Sequence, residues 1–338
     1  MQAWWVGEAG PIASHPLVWG ERGDPAPGRG ELLLRVRSCG VCRTDLHLAE
    51  GDLAPRHSHV VPGHEVVGIV QETGPGCHMF KVGDRVGVPW LGGTCGHCRF
   101  CLRGDENLCL SPTFTGWHRD GGYAELATVA EAFAYGIPAT FTDEQAAPLL
   151  CSGIIGYRAL MRARVPAGGR LGIYGFSGSA HITAQLALHQ GASVFVMTRS
   201  AAARELAREL GADFVGGPAD VPPEPLDSAI LFAPVGELVP VALRALDRGG
   251  TLAVAGIHLT DIPSLNYAAE IFQERQLCSV TANTRSDGRE FLRLAAQIPI
   301  QPTTTAYPFS AADDALADLA EDRVNGAAVL LMDSGGAP

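Results

Sequence analysis

The sequence predicts an α/β protein with two architectures in series. A β-rich domain occupies residues 1–150, a doubly wound parallel sheet with crossover helices occupies 151–284, and residues 285–338 return to the first domain. Three observations carry this reading. The 338 residues suit about two domains, and a hydrophobic content of 46% gives each a core. Residues 30–90 alternate short apolar runs with Gly and Pro, which marks short strands of an irregular sheet. Beyond about residue 150, apolar strands alternate with Ala- and Leu-rich stretches, the pattern of βαβ units.

In the first domain, Glu31-Leu-Leu-Leu-Arg-Val-Arg37, Val66-Val-Gly-Ile-Val70 and Arg85-Val-Gly-Val88 are the expected strands. In the second, strands are expected at Leu171–Tyr174, Val194–Thr198, Phe214–Val215, Ser228–Phe232, Thr251–Ala255 and Leu277–Thr281. Helical spacing and good helix formers place helices at Ala180–Gln190, Ala201–Leu210 and Leu238–Leu246. Past residue 285 that alternation stops, leaving a helix at Ala311–Glu321 and an apolar strand at Ala328–Met332.

Charge and composition exclude several classes of function. A formal net charge of −11 argues against nucleic acid, which demands clustered Lys and Arg. A small molecule is the expected partner. The start Met1-Gln2-Ala3-Trp4-Trp5 lacks the basic and apolar regions of a signal peptide, and no run reaches about 18 apolar residues. The expected setting is the cytoplasm, with no membrane partner. In a reducing compartment, nine cysteines point to metal or redox chemistry rather than disulfides.

Four of them form Cys95-x2-Cys98-x2-Cys101-x7-Cys109, a loop able to wrap one zinc tetrahedrally. An iron–sulfur cluster also takes four thiolates; a single closed quartet beside a nucleotide-binding sheet favours zinc. A second, dispersed set consists of Cys42 in Cys39-Gly-Val-Cys-Arg-Thr-Asp-Leu-His47, His64-Glu65 after Gly63, and Cys151 in Pro148-Leu-Leu-Cys-Ser-Gly153. A catalytic zinc needs three protein ligands and an open position. Taken singly, each of these residues would be an ordinary core or surface residue.

Together, Gly40-Val-Cys-Arg-Thr-Asp45, Gly63-His-Glu65, the four-cysteine loop and Leu150-Cys-Ser-Gly153 stand in the order found in zinc-containing medium-chain alcohol dehydrogenases. The chain resembles that family from the strand at Arg35 to Asp333. The resemblance implies a GroES-like catalytic domain, a Rossmann cofactor domain and a homodimer or homotetramer. It implies two zinc ions per subunit: a catalytic one on Cys42, His64 and Cys151, and a structural one on Cys95, Cys98, Cys101 and Cys109. Cys39 is then a non-ligand, Asp45 orients the ligating histidine, and Glu65 lies behind the metal and exchanges briefly onto it. His57, His59, His97 and His118 match no role.

By the same resemblance, the alcohol binds zinc as its alkoxide while hydride passes to NAD or NADP. The proton leaves through Thr44, a cofactor ribose hydroxyl and His47, and Arg43 grips the cofactor pyrophosphate. Trp90, Leu53, Trp117 and Ile257 are candidate pocket walls. The turn Gly175-Phe-Ser177-Gly178-Ser-Ala180 occupies the dinucleotide fingerprint, with Ser177 and Ala180 in place of its second and third glycines. Gly326-Ala-Ala-Val329 stands where the family places Gly-Arg, so the phosphate grip is expected to be weaker or differently built.

Thr198-Arg199-Ser200 ends the second strand of this sheet, and no carboxylate follows until Glu205. An acid there would bind the ribose hydroxyls of NAD and repel the extra phosphate of NADP. Its absence favours NADP, with Arg199 pairing with the phosphate; the alternative makes Ser200 a helix cap and Arg199 a solvated residue. The rival functions are a zinc-dependent polyol dehydrogenase, a zinc-free quinone or enoyl reductase of the same superfamily, and a non-enzymatic binding protein.

Overall fold

A computed structural model describes residues 1–332, so Asp333 and the residues after it lie outside the described chain. It divides into two compact units: one holds Met1–Cys151, Ala282–Arg293 and the chain from Pro302 onward, the other Ser152–Thr281 and Leu294–Gln301.

The first unit is organised around the eleven-residue strand Glu31–Val41. One long edge pairs antiparallel with Val66–Thr73, which pairs in turn with Arg85–Val88. The other edge is shared end to end: Leu126–Ala130 covers Glu31–Arg35, and Ala327–Leu331 covers Ser38–Val41. Arg35 and Arg37 face solvent between the buried Leu34 and Val36, but from Ser38 to Val41 every residue is buried. This is the period-2 alternation of a half-buried strand passing into an interior one, so the strand delivers its last residues into the core. Leu32, Leu34, Val36, Val66, Val70, Val86 and Tyr123 pack that core.

At the end of this strand Cys42, in extended conformation, caps helix Arg43–Glu50, and the Asp45 carboxylate accepts the Cys42 N–H at 3.0 Å. An acid in the first turn both satisfies a free amide and complements the helix dipole. Gly51 closes the helix in the left-handed region.

The second unit is a six-stranded parallel sheet ordered Phe214–Gly216, Ser193–Met197, Arg170–Tyr174, Leu226–Leu231, Leu246–Val254, Gln276–Ser279. The order reverses at Arg170–Tyr174, the switch point at which such sheets bind ligands. Leu171, Ile173, Val194, Val196, Ile230 and Leu252 are wholly buried, because helices cover both faces of a parallel sheet. After Tyr174 the chain turns at Gly175, whose φ of +85° and whose 2.8 Å gap from an added Cβ to the Ala233 nitrogen admit only glycine.

Each expected strand is observed to within a few residues, with one exception, whereas Gln2–Val6, Leu17–Glu21, Leu126–Ala130 and Thr304–Pro308, among others, were not expected. Leu246–Val254 starts five residues early, because its register jumps between Leu226↔Leu246 and Ser228↔Thr251, leaving extra residues in a bulge. Among the described residues, three helices of eight or more residues were not expected, Arg43–Glu50 and two others. Ser152–Ala163 follows Cys151, and Arg285–Gln297 occupies the stretch in which the alternation seemed to end. No helix among the described residues is long and apolar enough to cross a membrane.

Candidate metal centres and cofactor segment

Two groups of metal-ligand atoms converge, each with all its members within 4.8 Å of one another.

The first is Cys95, Cys98, Cys101 and Cys109, on a loop between the paired strands Leu91–Gly93 and Thr113–Phe114. The Sγ of Cys101 lies 3.5 Å from that of Cys98 and 3.9 Å from that of Cys95. Backbone amides donate into the cluster, from Cys98 to Cys95 Sγ at 3.4 Å and from Cys95 and Ser111 to Cys109 Sγ at 3.3 and 3.4 Å. Such amides stabilise thiolates. Those of Cys101 and Leu110 bring Cys98 down to about 6, whereas burial pushes Cys101 up to about 11. The loop is anchored by Glu106, three residues before Cys109. Its carboxylate accepts the backbone N–H of Arg285 and the Nε and Nη2 donors along one edge of that guanidinium, at 2.6 to 3.1 Å.

The second group joins three distant segments: Cys42 at the start of its helix, His64 and Glu65 just before Val66–Thr73, and Cys151 just before Ser152–Ala163. His64 and Glu65 are 0% and 2% exposed. Asp45, 1% exposed, holds the set together. Its Oδ1 lies 3.1 Å from His64 Nδ1 and accepts the Gly63 N–H at 3.0 Å, and its Oδ2 accepts from the Cys42 N–H and the Tyr123 hydroxyl. With Nδ1 committed to Asp45, His64 Nε2 is buried and has no hydrogen-bond partner. A buried ring nitrogen left open beside two thiols is what a metal ligand requires. The electrostatics agree. The Cys151 thiol's hydrogen bond holds Cys42 well below the usual thiol range and pushes Cys151 well above it. Burial opposes charge on His64, but Asp45 and Cys42 outweigh it and raise its pKa. A divalent cation displaces such shared protons, so both donor sets suit zinc.

The neighbouring residues are distributed as follows. The Thr44 hydroxyl is 3.8 Å from Cys42 Sγ. His47, one turn further along the helix, places Nδ1 3.0 Å from Asp52 Oδ2. Arg43 makes an ion pair with Asp322. Cys39 stays outside the cluster, its buried thiol directed at the Gly40 carbonyl. The Trp90 ring meets His64 edge-on at 4.9 Å and stacks on Phe114 and Trp117, with Arg56 lying over Trp117. Leu53 is partly buried, whereas Ile257, placed in the other unit, is 46% exposed. His97 binds the Cys95 carbonyl, and His57 lies by Asp120.

In the second unit, Ser177 precedes helix Gly178–His189 in extended conformation, and its side chain makes no cap. Ala180 is fully buried. Thr198 is buried, and Ser200 caps helix Ala201–Glu209 by accepting the Ala203 N–H at 3.3 Å. Sequence reasoning missed Asp52, Tyr123, Asp322 and the Glu106–Arg285 anchor. Only Asp52, five residues from His47, carried a local signal.

Asp45→Asn keeps the shape of the side chain but removes the charge that fixes His64. Changes to a group that orients a metal ligand lower metal affinity by about 10- to 100-fold. A chelator competition on the folded variant should show a loss in that range, and an unchanged affinity would remove Asp45 from the metal centre.

Comparison with known proteins places this geometry. Residues 28–139 match the family described as "Alcohol dehydrogenase GroES-like domain", and residues 178–297 match "Zinc-binding dehydrogenase". The chain is 58% identical over 337 residues to the protein named "Probable alcohol dehydrogenase AdhA" of Mycobacterium tuberculosis (strain CDC 1551 / Oshkosh), covering 98% of this chain and 97% of that one. It is 34% identical to an alcohol dehydrogenase of Geobacillus stearothermophilus, covering 94% and 97%. Among solved structures, the cobalt- and zinc-bound thermostable alcohol dehydrogenase of Pyrobaculum aerophilum superposes with a TM-score of 0.88 at 27% identity, covering 98% and 99%. A zinc-binding dehydrogenase of Sinorhizobium meliloti 1021 bound to NADP gives 0.87 at 28%, covering 98% of each chain. With both parts of the fold matched and a relative at 58% identity over nearly its full length, the chain belongs to the zinc-containing medium-chain alcohol dehydrogenase family.

Proposed function

We propose that this enzyme oxidises alcohols, and reduces the corresponding carbonyl compounds, by hydride exchange with a nicotinamide cofactor. In this reading Cys42, His64 and Cys151 hold a catalytic zinc, Glu65 offers a reserve carboxylate to the same cluster, and Cys95, Cys98, Cys101 and Cys109 hold a structural zinc. The observation that carries the reading is the buried, partnerless Nε2 of His64 beside the two thiols. When bound, zinc would supply Lewis acidity toward the alcohol oxygen and the nicotinamide cofactor would supply a hydride acceptor. The chain's own residues manage position and proton. Asp45 fixes the His64 tautomer, and the Trp90, Phe114 and Trp117 rings form an apolar wall that keeps water out. Thr44 Oγ1 accepts the substrate proton as its own hydroxyl proton moves on toward His47, which, oriented by Asp52, releases a proton to solvent. The apolar wall favours aliphatic or aromatic alcohols over polyols, and the intact ligand set argues against a zinc-free reductase.

The unit holding Ser152–Thr281 is assigned to the cofactor, with Gly175, Ser177, Gly178 and Ala180 at its pyrophosphate, and family resemblance assigns Arg43 to the same phosphates. We infer a preference for NADP. Support comes from the sequence Thr198-Arg199-Ser200 and from the lack of an acid at that position. The Ser200 oxygen serves as the helix cap while its O–H donates to a phosphate, and the Thr198 hydroxyl and Arg199 guanidinium are assigned to the same phosphate.

Three measurements test these assignments. Elemental analysis after chelator-free purification should give two zinc ions per chain, and Cys151→Ala should keep one and lose alcohol oxidation while staying folded; a single zinc in the parent enzyme would break the assignment. Thr44→Val should lower alcohol oxidation by about 100-fold or more, the usual scale of a proton-transfer group, with cofactor binding retained, and wild-type turnover would rule out the relay. Arg199→Ala should reduce kcat/KM for NADP about tenfold, the scale of one charge-assisted phosphate contact, and leave that for NAD unchanged. A wild-type enzyme strongly selective for NAD would sink the preference.

A further inference from the structure

Arg43 and Asp322 lie 279 residues apart in the chain and meet as an ion pair, the guanidinium Nη2 donating to Oδ1. Helix Ala312–Ala320 packs against helix Arg43–Glu50 and brings the turn after it to the start of that helix. In this turn Asp322 has φ +55°. Left-handed backbone is disfavoured for residues bearing a Cβ, and glycine would take this position without strain. Aspartate is among the non-glycine residues that enter this region most readily, so the turn accommodates it and sets its carboxylate on Arg43.

We propose that Asp322 sets the strength of cofactor binding by competing for Arg43. The inference rests on the assignment of Arg43 to the cofactor pyrophosphate. A guanidinium engaged by a carboxylate meets the incoming dianion either by giving up that partner or by keeping it at repulsive distance. In both cases Asp322 weakens the complex, and the free enzyme holds Arg43 in an internal pair until cofactor displaces it. The two side chains are 39% and 45% exposed. Solvent and salt therefore screen the effect to the scale of a surface pair, about threefold to fivefold in Kd.

The test uses direct cofactor binding, read from the fluorescence of NADPH and NADH on the zinc-loaded enzyme, with thermal unfolding as a check on the fold. Asp322→Asn is the informative variant, because asparagine tolerates left-handed backbone and removes only the charge. It should tighten Kd about threefold to fivefold at low salt, with the gain shrinking as salt is added. Arg43→Gln should weaken Kd, and in that background Asp322→Asn should change nothing, as a double-mutant cycle on a direct pair requires. If Arg43→Gln weakens binding but Asp322→Asn leaves it equal or weaker, competition by Asp322 is overturned while the role of Arg43 stands. If Arg43→Gln has no effect on binding, the assignment of Arg43 itself fails, and the inference with it.

Discussion

The metal centre depends on one buried carboxylate. Asp45 accepts from the Cys42 amide, the Gly63 amide and the Tyr123 hydroxyl, and it pairs with the imidazole of His64. A carboxyl group 1% exposed would be costly to bury without such partners, and four of them surround it. The same contacts start the helix that carries Thr44 and His47, fix the loop before His64 and choose which imidazole nitrogen stays open. Local folding and site geometry are thus one constraint. A residue that served only to hold His64 would not need the Cys42 amide, and a helix cap would not need the imidazole.

The two cysteine-rich centres solve the same problem at different ranges. Cys95 to Cys109 close within one loop, where backbone amides turn toward sulfur and no long-range contact is needed to bring the four thiols together. What the loop lacks is attachment, which Glu106 and Arg285 supply from 179 residues apart. Burial tends to raise the Glu106 pKa, and the Arg285 guanidinium and amide outweigh it. Cys42, His64 and Cys151 instead arrive from three segments, so the sheet must form before their donor atoms meet. A change in the packing of Glu31–Val41 or Val66–Thr73 therefore reaches this centre more directly than it reaches the four-cysteine loop.

That difference in range also explains what the sequence made legible. The parallel strands were visible because strands covered on both faces are continuous apolar runs, and the four-cysteine loop because its spacing is local. Helix Ser152–Ala163 was hidden by Gly153 and Gly156, residues that usually mark loops. Gly156 has another purpose: a Cβ there would lie 2.1 Å from Thr183 Oγ1, so the residue permits close approach to helix Gly178–His189. Helix Arg285–Gln297 carries Gly288 in its first turn, but its start was marked by Thr284-x-x-Asp287, whose side chains cap one another's amides at 2.7 and 3.1 Å. Tyr123, Asp322 and the partner of Glu106 had no local signal, since each contact joins segments between 78 and 279 residues apart. Periodicity reports which face is buried, not which distant polar group will meet it there.

The acidity of the chain bears on how it handles an anionic cofactor. Its formal charge is −11, and among the described residues many guanidiniums already face carboxylates: Arg37 and Arg85 on Asp143, Arg170 on Asp227, Arg323 on Asp318, and Arg43 on Asp322. A net negative field does not steer a phosphate inward, and salt screens what remains beyond about 8 Å. Recognition must then come from short-range hydrogen-bond geometry, in which a guanidinium exchanges one oxyanion for another of similar shape. The free energy of such an exchange is a small difference between two similar pairings. The position of one carboxylate beside Arg43 consequently weighs on it, by less than an added phosphate contact would.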